Sequence, residues 1–237
     1  MRYIGLLNYL EMKTLTLLFS FFFLLPLSLP AQSVNTLLQK VSEALSAGKD
    51  EYAVSLFRQA ADAGTDQTEM FYWTNVDKNS AVVSRLANEL AVHYKEERNY
   101  DKAFLFYREF LQRHPEDVPA LVACAEMELM RGREKEASRL YEKVLTLDGD
   151  NLQANIYLGN YYYLQAEKDR KKLDDDYKKL SSPTRMQYAR YRNGLSDLFI
   201  NNYTKAKNYL QRVLQLFPSM EAGNTLERIK KIEAEIK

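Results

Sequence analysis

The side chains that could do chemistry are few in this sequence, and none of them stands in a catalytic or metal-binding pattern. The chain has two histidines, His93 and His114, and neither begins a metal-ligand spacing. A glycine-rich phosphate loop, a Gly-x-Ser-x-Gly turn and a His-Glu-x-x-His helix are all missing from the sequence. We therefore expect a protein that is not an enzyme and that uses no cofactor and no metal.

Three consecutive aspartates, Asp174 to Asp176, could suggest a cation site. Successive residues on a helix point about 100° apart, so three in a row do not converge on one ion, and we expect a solvated face. The one cysteine, Cys124, cannot form an intramolecular disulfide. Its apolar neighbours Leu121 and Leu129 predict a buried small residue rather than a reactive thiol.

The charge balance argues against nucleic acid as a partner. The 237-residue chain is 46% apolar and 27% charged, with a formal net charge of +1. Without residues 1–31 it carries 31 basic and 31 acidic side chains, because Arg2, Lys13 and Glu11 lie in that segment. A neutral chain lacks the basic footprint of a protein that binds phosphate backbones.

The N-terminus has the pattern of a targeting segment. Residues 15–29 are apolar except for three hydroxyl side chains, with Lys13 before them and Ala31 behind. This pattern predicts a cleaved signal peptide over residues 1–31, with Met12 as an alternative start. A retained membrane anchor is the alternative, although the apolar run is short for a bilayer. We expect export to the periplasm or outer membrane of a Gram-negative bacterium, and no membrane span in the mature chain.

A fixed spacing marks the architecture. Ala103 and Ala137 lie 34 residues apart, and a tyrosine follows each of them four residues later, Tyr107 and Tyr141. A period of 34 is typical of a two-helix unit that stacks on copies of itself. The chain is therefore expected to be all-α.

These units resemble tetratricopeptide repeats (TPR). Two adjoining units, which start at Ser84 and Val118, carry the resemblance, and Glu128 stands where that family usually has tyrosine. The resemblance implies an α-solenoid of antiparallel helix pairs with a concave groove for a partner protein or peptide. The matching residues are Leu90, Ala91, Tyr94, Ala103, Tyr107, Phe110 and Pro115 in the first unit, and Leu121, Cys124, Ala125, Ala137, Tyr141 and Val144 in the second.

In this frame residues 32–237 form one repeat domain of about five units. A sixteen-residue insert contains Phe71, Tyr72 and Trp73, which are either a contact patch or, as we favour, rings that seal a junction. An amphipathic C-terminal segment is expected to cap the stack. The predicted units are 34–67, 84–117, 118–151, 152–185 and 187–220, with the insert at 68–83 and the cap at 221–237.

The fourth unit is irregular. The distance from Ala137 to Ala206 is 69 residues, two periods plus one. The second half of 152–185 departs from the repeat pattern, and opposite charges recur there at helical spacing. Residues 167–180 either continue the first helix past the stack or form a rotated second helix.

The resemblance also implies which side chains line the groove, because the first helix of each unit faces it at fixed positions. The apolar, tyrosine-rich C-terminal part would suit an extended or helical peptide, with aromatic side chains as anchors. The alternative is that this part packs against the irregular repeat itself. The implied groove residues are Arg85, Asn88, Val92, Lys95, Glu96, Val122, Glu126, Leu129, Met130, Ile156, Asn160, Tyr163, Leu164, Tyr188, Tyr191, Leu195 and Phe199.

The sequence thus favours a non-catalytic scaffold or adaptor that is exported to the cell envelope and binds a partner protein or peptide. One alternative is an accessory subunit of a polysaccharide- or peptidoglycan-processing enzyme complex. Another is a self-associating structural protein, a homo-oligomer formed through the aromatic C-terminal groove. The identity of the partner does not follow from these residues.

Overall fold

The computed structural model describes residues 33–236, so the predicted signal peptide at 1–31 lies outside the described residues. Within 33–236 the regular elements are helices, without a strand, and neighbouring helices pack in pairs. The predicted all-α solenoid of helix pairs is confirmed. The helices are α1 (Val34–Ser46), α2 (Asp50–Ala63), α3 (Thr65–Asn75), α4 (Val83–Glu96), α5 (Tyr100–Leu111), α6 (Val118–Met130), α7 (Glu134–Leu147), α8 (Leu152–Lys178), α9 (Arg185–Leu198), α10 (Thr204–Leu216) and α11 (Met220–Ile236), with a π-turn (Phe199–Tyr203) between α9 and α10.

The pairs α1–α2, α4–α5 and α6–α7 are closed by the same kind of turn. One residue in each turn has a positive φ, 67° at Gly48, 62° at Arg98 and 74° at Gly132. The N–H of the residue that follows it donates to the carbonyl of the residue five positions before the donor. The N···O distance is 2.8–2.9 Å in all three turns. This left-handed C-cap satisfies carbonyls that the helix end would leave unpaired, which is why glycine is preferred there.

Small buried residues let the paired helices of the centre approach each other. Ala103 and Ala137, the residues of the 34-residue step, are both completely buried. Tyr94 and Leu90 of α4 are buried as well, and the Tyr94 ring stacks on Phe106 with ring centroids 5.7 Å apart. The repeated sequence positions are therefore packing positions in the core.

The insert at 68–83 contains most of helix α3, which begins at Thr65, and the loop after it. Phe71 and Tyr72 are buried, and the Tyr72 ring meets Phe106 edge-on at 5.6 Å. Trp73 stays 42% exposed. Lys78 Nζ lies 3.1 Å from the Tyr72 ring centroid, and burial lowers the pKa of Lys78 to about 8. Phe71 and Tyr72 thus seal a junction, as favoured from the sequence.

Helix α3 also changes the orientation in which the α1–α2 pair packs against the rest of the stack. Glu51 of α2 pairs with Arg85 of α4, and further along the same two helices Arg58 pairs with Glu89, both at 2.6 Å. Because the numbers rise together on both helices, α2 and α4 run parallel. Consecutive helices of the centre run antiparallel, so the first pair joins the stack in a different orientation.

The C-terminal region is an elongated hairpin. Helix α8 is continuous through Lys178, and α9, the π-turn and α10 form one unbroken return arm. The arm packs along α8, with Leu210 of α10 against Gly159 in the first half of α8 and Gly194 of α9 against Leu173 in the second half. The first of the two alternatives for residues 167–180 is the one observed, since the first helix runs on. The ranges 152–185 and 187–220 share this single hairpin, a difference from the two separate pairs expected.

The last helix covers the return arm. Ala222, Ile229 and Ile232 of α11 are buried and belong to the same apolar cluster as Tyr203 and Leu210. None of the helices between residues 33 and 236 combines the length and the apolar character that crossing a membrane requires.

Candidate functional site

An open apolar pocket lies between the end of α6, the start of α7 and the first half of α8. We call it the α8 pocket. Its volume is about 600 Å³, within the usual range for ligand and peptide-anchor sites. Ile156 and Leu164 project from α8 and are 40% and 63% exposed. The lining residues are Leu129, Glu134, Tyr141, Leu152, Gln153, Ile156, Tyr157, Asn160, Tyr161, Leu164 and Gln165.

Tyrosine rings form one wall of the α8 pocket. The Tyr157 ring lies 4.7 Å from Tyr141 and 5.9 Å from Tyr161, centroid to centroid. The Tyr157 hydroxyl donates to the carbonyl of Glu134 at 3.0 Å, which fixes the ring against the start of α7. Burial raises the pKa of Tyr157, so its hydroxyl stays a neutral donor.

The structure brings four of the implied groove residues, Leu129, Ile156, Asn160 and Leu164, into this pocket. The sequence reasoning missed Tyr157 and Tyr161. Their signal is present in the sequence, because each follows a groove residue directly and the two are four residues apart, on one helical face.

A polar strip borders the pocket and links three helices. Lys95 Nζ of α4 donates to Glu126 Oε2 of α6, and Gln153 Nε2 of α8 donates to Glu126 Oε1, both at 2.6 Å. Burial raises the pKa of Glu126, but the bonds from Lys95 and Gln153 outweigh it and the net shift is downward. Lys95 and Glu126 thus lie side by side, as the resemblance implies, but their charges are paired with each other.

The remaining N-terminal groove residues are spread out. Val92 on α4 is 39% exposed and Met130 at the end of α6 is 61% exposed. Val122 is half-buried and packs against the core of α6, α7 and α8. Asn88 lies in a separate depression that α2 forms with α4, beside Arg58.

The C-terminal aromatic residues do not line a common groove. Tyr191 stacks on Tyr177 of α8 at 4.4 Å and donates to Asp174 Oδ1 at 2.7 Å. Leu195 is buried, with only 5% exposed. Tyr188 is half-exposed, with its ring 6.3 Å from Tyr177 near the hairpin tip.

Two further members of that set, Tyr163 and Phe199, pack on Tyr203 with ring centroids 6.2 and 6.0 Å apart. The expectation that these residues face a groove is corrected here. Because α8 runs on, its second half lies against α9 and contacts Tyr191, whereas Tyr163 and Phe199 pack on Tyr203. The alternative of packing against the irregular repeat describes Tyr163, Tyr191, Leu195 and Phe199.

The cysteine and aspartate side chains that could take part in chemistry are buried or paired with neighbouring residues. Burial raises the pKa of the Cys124 thiol to about 12. Asp174 accepts from Tyr191, and Asp176 pairs with Lys179 at 2.9 Å. Across residues 33–236, no group of three or more His, Cys, Asp or Glu side chains is placed to hold a metal ion.

Comparison with solved structures finds a strong match. A crystal structure of a protein from Bacteroides ovatus ATCC 8483, described as a candidate protein-binding protein, is 61% identical. The match covers 87% of this chain and 100% of that chain, with a TM-score of 0.75. A structure of MamA protein aligns at 10% identity and a TM-score of 0.37, over 86% of this chain and 89% of that chain, which is too weak a likeness to indicate a shared fold. No protein-family model matches the chain, and no curated protein matches it.

Proposed function

Because the chain belongs to the same family as the Bacteroides ovatus protein, we propose that it is a non-catalytic scaffold that binds a partner protein, and that its helix pairs are TPR-like repeats. The 61% identity over the full length of that relative supports this assignment. The description of the relative as a candidate protein-binding protein agrees with it. The proposed partner is a protein or peptide, and the chain has no catalytic role in the complex.

The observation that carries the proposal is the α8 pocket. Two exposed apolar side chains, Ile156 and Leu164, project there, with a wall of tyrosine rings beside them. Interfaces draw most of their affinity from such aromatic and aliphatic anchor sites, with a polar rim around them. The polar strip of Lys95, Glu126 and Gln153 supplies a rim on one side. An apolar side chain of the partner would fill the pocket.

The test compares capture by three forms of the chain. Wild-type protein, the Leu164→Glu variant and the Leu105→Glu control are used as bait on envelope extracts, and bound proteins are identified by mass spectrometry. Leu164 lies in the pocket, whereas Leu105 is 47% exposed on α5, away from it. We expect one partner to be retained by wild type and control and lost by Leu164→Glu. Equal capture by all three forms would remove the α8 pocket as the binding site.

The identity of the captured protein separates the two envelope roles. Structural assembly or secretion proteins favour a scaffold of an envelope complex. A polysaccharide or peptidoglycan hydrolase favours the alternative of an accessory enzyme subunit.

Export is part of the proposal and is supported by the sequence of residues 1–31 alone. An apolar run behind Lys13 and a small residue at Ala31 have the order of a signal peptide. Fusion of residues 1–60 to an export reporter tests it. We expect an active exported reporter, and a reporter that stays in the cytoplasm would contradict the periplasmic or outer-membrane location.

A further inference from the structure

The far end of the α8–α9 hairpin is strongly basic, although residues 32–237 as a whole are neutral. Residues 168–192, which we call the basic tip, carry nine lysines and arginines and four aspartates, a formal net charge of +5. The rest of 32–237 carries 22 basic and 27 acidic side chains, a formal net charge of −5. Positive charge is therefore concentrated in one part of an otherwise acidic domain.

Five lysines of the basic tip share one exposed face of α8. Spacings of three, four and seven residues relate them, which places their side chains on one side of the helix, and Asp175 is the acidic residue among them. The opposite side of α8 carries Leu173 and Tyr177, and the Tyr177 ring stacks on Tyr191 of α9. The lysines of this face are Lys168, Lys171, Lys172, Lys178 and Lys179.

Most of these ammonium groups have no counter-charge beside them. Lys179 Nζ lies 2.9 Å from Asp176 Oδ1, whereas the other four lysines make no ion pair with any residue between 33 and 236. Elsewhere in the domain, Lys95 and Lys102 are paired with glutamates at 2.6 and 2.7 Å. The lysine face is therefore free to pair with an anion from outside the protein.

Exposed apolar side chains lie next to these charges, at the turn that joins α8 to α9. Leu180 is 37% exposed, Met186 is 66% exposed and Tyr188 is 51% exposed. The 27 residues of α8 make a helix about 40 Å long, so this turn is well separated from the start of α8, where the α8 pocket lies. The basic tip thus combines a cationic face with an apolar end.

We propose that the basic tip binds the surface of a membrane that contains anionic phospholipids. The lysine face meets the headgroup phosphates, and Leu180 and Met186 enter the boundary between headgroups and acyl chains. Clusters of about four to eight lysines and arginines on an amphipathic helix bind anionic bilayers in this way. A nucleic acid would use the charges but would leave Leu180 and Met186 in water. A lipid surface uses both features.

This site is separate from the proposed partner site. The residues that line the α8 pocket end at Gln165, before the basic tip begins. A partner in the α8 pocket would therefore be held at the membrane surface, and each site is tested without the other.

The proposal is tested by sedimentation with lipid vesicles. The chain 32–237 is used, because the apolar residues 15–29 would themselves bind lipid. The crystallised Bacteroides ovatus relative, whose whole length matches 87% of this chain, indicates that a shortened chain folds. We expect binding to vesicles of phosphatidylcholine with phosphatidylglycerol, release at high salt, and no binding to phosphatidylcholine alone. No binding to the anionic vesicles, or equal binding to both kinds, would overturn the proposal.

Two pairs of substitutions test the charges. Lys171→Gln combined with Lys178→Gln should weaken binding to the anionic vesicles about twenty-fold, because each lysine near such a surface strengthens binding about five-fold. Lys49→Gln combined with Lys135→Gln removes the same net charge at exposed positions outside the basic tip and should bind like wild type. Equal weakening by the two pairs would overturn the proposal.

A substitution of the apolar end separates a lipid surface from other anionic partners. Met186→Ser should weaken vesicle binding about five-fold, because an apolar side chain no longer leaves water. The control Met70→Ser, at a methionine that is 62% exposed on α3, should bind like wild type. Vesicle binding that Met186→Ser leaves unchanged, or tighter binding to a DNA duplex than to the anionic vesicles, would overturn the proposal.

Discussion

The regular centre, α4 to α7, and the elongated hairpin, α8 to α10, differ at one turn position. Helix α6 ends after 13 residues, and the chain reverses through Gly132 with φ 74°. Thirty-four residues later the chain has Ala166, which is buried and helical, and α8 continues to 27 residues. L-residues with a side chain rarely adopt positive φ, whereas alanine favours helix. The comparison shows that a repeat keeps its length only where its turn residue permits reversal.

The two regions also differ in how much they bury. In the centre, Leu90, Phe106 and Ala103 are completely buried. In α9 only Leu195 and Leu198 are buried. The far half of the hairpin instead relies on partly exposed contacts such as the stacked rings of Tyr177 and Tyr191. Regions with little apolar burial open at lower free energy, so the far half should be the less stable part.

The largest expected effect comes from truncating one leucine in each region. Leu90→Ala should lower the free energy of unfolding by about 3 kcal/mol, because it leaves a cavity in the centre. Leu173→Ala, in the second half of α8, is half-buried and should cost about 1 kcal/mol. Urea titration followed by circular dichroism measures both. Equal losses would contradict the difference in packing.

A smaller effect is expected at the base of the hairpin, where α8 and α10 touch. A Cβ on Gly159 would lie 2.7 Å from Leu210 Cδ2 and 2.8 Å from Leu210 Cγ. Gly159→Ala should therefore lower the free energy of unfolding by about 1–2 kcal/mol through overpacking, despite the better helix propensity of alanine.

The control is Gly223→Ala in α11, where a Cβ would meet no heavy atom within 4 Å. It should raise the free energy of unfolding by about 0.5–1 kcal/mol, since only helix propensity changes. Thermal unfolding of the two variants in parallel checks the opposite signs. A stabilising Gly159→Ala would mean that the hairpin base is loosely packed.

The smallest effects concern the turns of the centre. Arg98 is exposed and has φ 62°, a strained conformation for a residue with a side chain. Arg98→Gly should raise the free energy of unfolding by up to about 1 kcal/mol, and Gly132→Ala should lower it by about 1 kcal/mol. Chemical denaturation of both variants measures the pair. Changes of the same sign would refute the common left-handed turn.

The sequence predicts the centre well because its determinants are local. The spacing of Ala103 and Ala137 sets which faces pack, and Gly132 sets where the chain reverses. The course of residues 167–180 could not be decided, because opposite charges at helical spacing stabilise a continued helix and a separate helix equally.

The parallel arrangement of α2 and α4 could not be predicted either. The length of a sixteen-residue insert does not show how many helices it forms. One added helix reverses the direction of the helices that follow it. The same holds for the site. Ile156 and Asn160 lie in the α8 pocket because α8 begins as a regular first helix. Tyr191 and Leu195 pack inside the hairpin instead. The rule that assigns groove positions assumes that the next repeat is an independent helix pair, and α9 is not part of such a pair.

The π-turn at Phe199–Tyr203 explains the one residue by which Ala137 and Ala206 exceed two periods. A π-turn contains one residue more than an α-helical turn, and that residue rotates the following helix by about 100°. Gly194 before the turn and Leu210 after it can therefore both face α8 from one unbroken arm. The spacing here is two repeats plus the one residue that the π-turn adds. An insertion or deletion in this arm would rotate one half of the arm relative to the other. It would be tolerated only if the π-turn shifted to match.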